Sequence, residues 1–300
     1  MKTPWWFLHK TLLAFLLLPV SWVYYLITRL VYICRKFNAY KSRRPIICIG
    51  NILAGGVGKT PIVREIATFL DAPIIMRGYK KTSKTGNVGD EATMMARDGL
   101  QVHVGNRKSN LILLNKQLSE TGPIVMDDGF QNSGIKKDIS ILVFDDSIGY
   151  GNGFLLPAGP LREPKRAIKK ANAVIVIKSN KPRKKFKIPY EVPTFYAETK
   201  TFSPYPEGEN LFAFAGIGYP KKFFNALKNV VGKKSFPDHY QYTDKDLEQL
   251  IEKAKNKKAK LITTEKDWVR LPDWAKEEIK YAKLEMNIDN KFFQWLKENI

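Results

Sequence analysis

A lysine and a hydroxyl stand side by side at the end of a glycine loop, Gly55-Gly56-Val57-Gly58-Lys59-Thr60. These are the residue types that polyphosphate chemistry needs. Glycines let successive backbone N–H groups converge on anionic oxygens, and a helix N-terminus adds partial positive charge. The ammonium of Lys59 reaches the outer phosphates while the hydroxyl of Thr60 ligates Mg²⁺. The spacing departs from the usual G-x-x-x-x-G-K-[ST] pattern in one place. Leu53 stands where glycine is wanted, so Asn51, Gly55 and Gly56 must shape the loop.

Other residues of related chemistry are spread along the chain. Asp127-Asp128 ends the apolar run 123–126, as a magnesium-binding strand-end acid should, although Asp-Asp-Gly also favours plain turns. Asp145-Asp146 ends another apolar run and is the competing pair. Glu163 beside Arg162 lies in a stretch stiffened by proline and glycine, where it fits a metal or nucleotide contact, or an ordinary surface ion pair. Arg77 closes a short apolar stretch before a glycine, placed either to meet a phosphate or to stay solvated. Of three histidines, His239 sits in the loop Phe236-Pro237-Asp238-His239-Tyr240. A catalytic role there requires a carboxylate partner, and Asp90 is the candidate.

Each of these side chains needs an element to hold it. Residues 46–49 read as a buried strand before the loop, and Ile62, Val63, Ile66, Ala67 and Leu70 give a helix after it. Further strands are expected at 73–76, 123–126, 139–144 and 173–178, with a helix over 91–98. Strands alternating with helices imply a doubly wound parallel α/β sheet that binds ligands beyond the carboxyl ends of its strands. Residues 181–187 read as a basic linker, and 194–200 as a strand leading to a second unit. The pattern restarts near Asn210, with strands at 211–215 and 261–264, a helix over 222–230, and another opened by a Thr243/Asp246 capping box. The expected division is an N-terminal membrane-anchoring helix over 1–36, a P-loop nucleotide-binding core over 37–204, and a smaller C-terminal α/β domain over 205–300.

Composition narrows the partners. The net charge is +21, and the first acidic residue is Glu65, so an anionic partner is expected. Residues 11–28 carry no charge and as one helix would span about 27 Å, close to a bilayer's hydrocarbon thickness, with a kink at Pro19. Trp5, Trp6, Trp22, Tyr24 and Tyr25 suit a membrane interface, and basic residues follow at once. An anchor facing anionic lipid is expected, spanning the bilayer or lying in one leaflet. No small-residue cleavage site follows it, which argues against a signal peptide. Cys34 and Cys48 form no ligand cluster and suit a reducing compartment.

Taken together, the loop from Gly50 to Pro61, Arg77-Gly78-Tyr79, Gly89-Asp90-Glu91, Asp127-Asp128-Gly129-Phe130-Gln131, the Leu156-to-Pro164 loop, Phe236-Pro237-Asp238-His239 and Thr264-Glu265-Lys266-Asp267 resemble the tetraacyldisaccharide 4'-kinase (lipid A 4'-kinase) family of Gram-negative bacteria. Leu53 follows that family's own loop pattern. Asn132 departs from it, since the family usually has histidine there. The resemblance implies ATP- and Mg²⁺-dependent transfer to the 4'-hydroxyl of an acylated glucosamine disaccharide 1-phosphate. It also implies a place at the inner (cytoplasmic) membrane with the catalytic domains on the cytoplasmic side. It gives Asp90 and His239 as a catalytic pair beside Lys59, and Asp127, Asp128 and Glu163, with Thr60, as the metal site. Asn51, Gly55 to Thr60, Arg77 and Arg162 then hold the nucleotide. Neither a nucleic acid nor an obligate protein partner is expected. The rival is a membrane-tethered P-loop nucleotide switch or ATPase without a lipid substrate. It is weakened because Asn180-Lys181-Pro182-Arg183 lacks the Asp of a guanine-specific N-K-x-D motif.

Overall fold

A computed structural model describes residues 4–77, 89–117, 121–179, 182–183, 186–218, 220–238 and 240–300. The chain divides into two compact units, one of Thr3–Glu198 with Met286–Ile300, the other of Thr199–Glu285. The architecture is mixed α/β and dominated by parallel strands.

In the larger unit a short 3₁₀ turn, Trp5–Phe7, precedes helices α1 (Leu12–Leu16) and α2 (Leu18–Phe37). Then come β1 (Ile46–Gly50), α3 (Lys59–Leu70), β2 (Ile74–Met76), α4 (Asp90–Arg97), β3 (Val102–Val104) and α5 (Arg107–Leu114). Strands β4 (Ile124–Asp127), β5 (Ile139–Asp145), β6 (Ala173–Lys178) and β7 (Thr194–Phe202) complete it. The strand order is β3-β2-β4-β1-β5-β6-β7, with parallel pairing throughout. β1 lies at the centre and is buried along its whole length, which is why it reads as an unbroken apolar run rather than an alternating one. α3 covers it with Ile62, Val63, Ile66 and Ala67, all fully buried.

The second unit has β8 (Leu211–Ala215), α6 (Pro220–Ala226), β9 (Val230–Ser235), α7 (Asp244–Asn256), β10 (Lys260–Thr264), the short helices α8 (Glu265–Trp268) and α9 (Asp273–Glu278), and β11 (Lys280–Ile288). Its parallel order is β11-β10-β8-β9. The capping box of Thr243 and Asp246 opens α7 as its sequence requires. The helix expected to reach residue 230 stops at Ala226, because Val230 begins an edge strand instead.

Two expectations about organisation change. The terminal helix α10 (Asn290–Asn299) does not belong to the second unit: Phe292 and Leu296 are fully buried in the core of the first, with Phe195 packed on Phe292. The expected anchor is not one helix. Among the described residues no helix is long and apolar enough to cross a membrane. The chain breaks at Leu17, and Pro19 falls in the first turn of α2, where proline's missing N–H costs nothing, so it starts a helix rather than kinking one.

The Trp5–Phe7 turn and α2 are instead tied to the rest of the larger unit by polar contacts. The Ser21 hydroxyl donates to the Leu155 carbonyl at 3.0 Å and accepts from the Ala158 amide at 3.1 Å. Ser133 donates to the Tyr32 carbonyl, and Trp6 to that of Pro157. Asn152 is buried and donates through Nδ2 to the carbonyls of Trp6 (2.9 Å) and Ala158 (2.8 Å), while its Oδ1 accepts from Phe154 (2.9 Å). Replacing it would leave the Ala158 carbonyl and the Phe154 amide without that partner, while the Trp6 carbonyl keeps the His9 amide. Asn152→Ala is therefore expected to lower stability by about 2–4 kcal/mol in urea unfolding; a loss below about 0.5 kcal/mol would mean that water replaces the side chain freely.

Candidate active site

The glycine loop joins β1 to α3, and Gly58 ends it with φ of 79°, a left-handed conformation that a residue bearing Cβ adopts only under strain. This delivers Lys59 and Thr60 as the first residues of α3, with the loop's amides ahead of them. Leu53 is 1% exposed and bridges Leu161 in antiparallel fashion. The Ala54 amide donates to the Pro160 carbonyl, and the Arg162 amide to that of Ile52, each at 2.7 Å. The loop therefore takes its shape from this pairing with the proline-glycine segment, and a leucine can stand where other such loops need glycine.

The same pairing brings Arg162 to the glycine loop. Asp128 follows β4, the strand beside β1, its amide donating to the Ile49 carbonyl at 2.8 Å. Lys59 Nζ lies 3.0 Å from Asp128 Oδ1, and Arg162 Nη1 lies 3.1 Å from Oδ2. Burial alone would raise the Asp128 carboxyl, but Lys59 and Arg162 outweigh it and hold the group below the usual carboxylate range. Gly129 follows, where a Cβ would meet Met126 Sδ at 2.2 Å, so the turn packs onto β4 only without a side chain.

Asp127 is different. It is 6% exposed, Oδ1 has no hydrogen-bond partner, and its pKa is pushed up to about 7. Burial is the main cause; Glu91 and Asp128 add to it, and Lys59 and Arg107 work against it. A buried carboxylate oxygen without a donor suits a cation. Among the described residues no cluster of three or more His, Cys, Asp or Glu could hold a metal by itself. Mg²⁺ does not need one, since it commonly takes one or two carboxylates and completes its shell with water and phosphate oxygens. Asp127 and Thr60 fit that role.

Glu163 and Arg162, neighbours in sequence, serve different contacts. Glu163 Oε2 pairs with Lys170 at 3.2 Å and its Oε1 is buried without a partner. Asp145-Asp146, the competing acids, form turns: Asp145 caps Ser147 and Asp146 accepts from the Ser179 amide. Asp90 opens α4 beside Glu91, whose charge bears on Asp127. Arg77 is exposed, its charge bearing on Arg107. His239, Gly78 and Tyr79 lie outside the described residues. Asn132 accepts from the Gly134 amide, forming a turn.

Arg107 was not anticipated. Its Nη2 donates to the carbonyls of Asp127 at 2.6 Å and Asp128 at 3.2 Å, fixing the strand end from below. The available signal was a cation in the first turn of a helix, where the helix dipole disfavours it unless something else holds it there. Gln131 also carries a contact, donating to the Asn51 carbonyl at 2.8 Å.

A parallel α/β sheet with a glycine loop, a Lys-Thr pair opening a helix and an acid at the neighbouring strand end defines a phosphate-handling protein of the phosphotransferase kind. Residues 13–300 match the family model described as LpxK, tetraacyldisaccharide-1-P 4'-kinase, and the chain belongs to that family. A tetraacyldisaccharide 4'-kinase from Rickettsia bellii (strain OSU 85-389) is 36% identical, covering 88% of each chain. One from Paramagnetospirillum magneticum (strain ATCC 700264 / AMB-1) is 38% identical over 79% of this chain and 80% of its own. The fold is similar to the crystal structure of "apo" form LpxK from Aquifex aeolicus in complex with ATP, with a TM-score of 0.76, 27% identity, and coverage of 96% and 99%.

One side chain at the site is costly as it stands. Asn51 is fully buried, and neither its Nδ2 nor its Oδ1 has a partner. An unpaired buried amide costs about 1–3 kcal/mol, whereas an apolar group of similar shape does not. Asn51→Leu is expected to raise the stability of the nucleotide-free protein by about 1–2 kcal/mol in urea unfolding. A destabilised variant would show that the amide is satisfied in solution.

Proposed function

We propose that the protein transfers the γ-phosphoryl group of ATP to the 4'-hydroxyl of an acylated glucosamine disaccharide 1-phosphate, the reaction its family is named for. The observation that carries this reading is the meeting of Lys59, Asp128 and Arg162 at the start of α3. The loop amides from Gly55 to Thr60 cradle the phosphates, and Lys59 neutralises their outer charge. Arg162, paired with Asp128 in the free protein, turns to the transferring group. Asp127 and Thr60 are the candidate ligands of Mg²⁺, which would supply charge neutralisation there when bound. The acceptor oxygen attacks the γ-phosphorus, the bond to the β–γ bridging oxygen breaks, ADP leaves, and Asp90 takes the hydroxyl proton with His239 supporting it. Arg77 and Asn51 complete the nucleotide contacts. A nucleotide switch lacking an acceptor is disfavoured by the family to which the chain belongs.

The acceptor is a lipid, and the N-terminal helices suit an interface. Leu12, Leu16, Trp22, Leu26 and Leu30 are more than half exposed. A helix of this kind, apolar outside and polar toward its own protein, lies in the headgroup region rather than across the bilayer.

The direct test is transfer of radiolabelled phosphate from ATP to the acyl-disaccharide 1-phosphate in mixed micelles. Labelled lipid supports the reading, and release of free phosphate alone contradicts it. Within that assay Asp90→Ala and His239→Ala are each expected to lower kcat by about 10²–10⁴-fold, and the double variant to be scarcely worse than the poorer single. Multiplicative losses would mean that the two residues act separately. For the membrane face, Trp22→Ser with Leu26→Ser and Leu30→Ser should weaken binding to anionic vesicles by about tenfold or more without altering the unfolding midpoint by more than a degree or two. Undiminished vesicle binding would place the membrane contact elsewhere.

A further inference from the structure

In the second unit, Asp267 is wholly enclosed. Its side chain is 0% exposed, and that of Arg270, with which it pairs at 3.2 Å, is 4% exposed. Four donors divide between its two oxygens. Oδ2 accepts from the Gly216 amide at 3.0 Å and from the Thr264 hydroxyl at 2.7 Å. Oδ1 accepts from the Tyr242 hydroxyl at 2.9 Å and from Arg270. Taking an ion pair fully out of water seldom stabilises a fold more than apolar packing of similar volume does. Capping α8 does not require the carboxylate either, because the Thr264 hydroxyl already accepts from the Asp267 amide. What the carboxylate adds is geometry: it ties the end of β8, the start of α8 and Tyr242 to one point.

Tyr242 carries that point to the segment on either side of position 239. Its ring meets Phe214, Phe236 and Tyr240 edge to face, with centroids 5.4, 5.1 and 5.3 Å away. The Phe236 amide donates to the Ala215 carbonyl, and the Tyr240 amide to that of Pro237. The Tyr240 hydroxyl donates to Asp246 in the first turn of α7. Gly216 packs so closely here that a Cβ would come within 3.2 Å of the Pro237 carbonyl and 2.9 Å of Asp267 Oδ1. The chain is therefore anchored both before and after His239.

We infer that Asp267 is a positioning residue for His239, acting through Tyr242 and Gly216; this deepens the kinase reading and rests on the part His239 plays in it. A group that assists proton transfer works only while it is aligned, and a displacement of about 1 Å can cost about 10²-fold in rate. A fully satisfied buried carboxylate gives the segment one arrangement where apolar packing alone would allow several.

A cycle of variants in the radiolabelled-phosphate assay tests the assignment. Tyr242→Phe removes one hydroxyl and keeps the ring; Asp267→Asn removes the charge. With saturating ATP and acceptor, the first is expected to lower kcat by about 3–10-fold and the second by about 10–100-fold, with KM for ATP unchanged. In a His239→Ala background neither should lower kcat by more than about twofold, because residues that act as a unit lose their effect together. A merely structural role predicts the same factor in both backgrounds, and that result would overturn the inference. So would an unchanged kcat in Tyr242→Phe and Asp267→Asn alike. Should Asp267→Asn lose its native circular dichroism, the Tyr242→Phe cycle decides alone, and an unchanged kcat in that variant overturns the inference. His239→Ala with wild-type turnover would instead remove the catalytic role of His239, and this inference with it. Wild-type protein that labels no lipid would overturn the kinase reading itself.

Discussion

Asp128 is the joint of the site. One carboxylate holds Lys59 from the start of α3 and Arg162 from the proline-glycine loop, while its own backbone is fixed to β1 and to Arg107. Three parts of the chain far apart in sequence, the β1–α3 loop, Arg107 and Arg162, therefore converge on one residue whose φ of 48° is itself unusual for anything but glycine, asparagine or aspartate. A carboxylate that is largely removed from water and faces two cations stays ionised, and the cations stay where a polyphosphate needs them. Without a carboxylate there, Lys59 and Arg162 would repel each other.

The neighbouring acid shows the complementary design. Asp127 is buried beside a like charge, its proton is held up to about pH 7, and one oxygen lacks a donor. Asn51 adds two more unsatisfied atoms at the carboxyl end of the adjoining strand. Each of these is unfavourable as it stands, and the proposed nucleotide and metal would satisfy it. The strand ends thus carry strain in hydrogen bonding rather than in packing, and the apolar core beneath them, from Ile46 to Ile49 and Ile62 to Ala67, supplies the rigidity that tolerates it.

Much of this was readable from residue types alone. The loop, the strand before it and the helix after it follow from local pattern, since glycine, lysine and apolar spacing act over a few residues. Leu53 was legible as an anomaly but not as a solution, because its partner Leu161 is more than a hundred residues away. Arg162 and Glu163, adjacent in sequence, meet Asp128 and Lys170 respectively, partners that adjacency does not reveal, since direction depends on the loop's path. The N-terminal stretch read as one apolar span because hydropathy averages over a helix. It does not register that Ser21 and Asn152 stitch that stretch to the proline-glycine loop. The ending was hidden for a related reason: α10 returns to the first unit through Phe292 and Leu296, and an amphipathic pattern does not name the surface it will meet.

The most direct measurement is calorimetric titration of ATP, in the absence of divalent cations, into wild type and Asp128→Asn. If Asp128 and the nucleotide compete for Lys59 and Arg162, the variant binds metal-free ATP about tenfold more tightly than the wild type, and that gain vanishes when Lys59→Ala is added. Equal affinity of wild type and Asp128→Asn, or a gain that survives the loss of Lys59, would contradict a site built around that carboxylate.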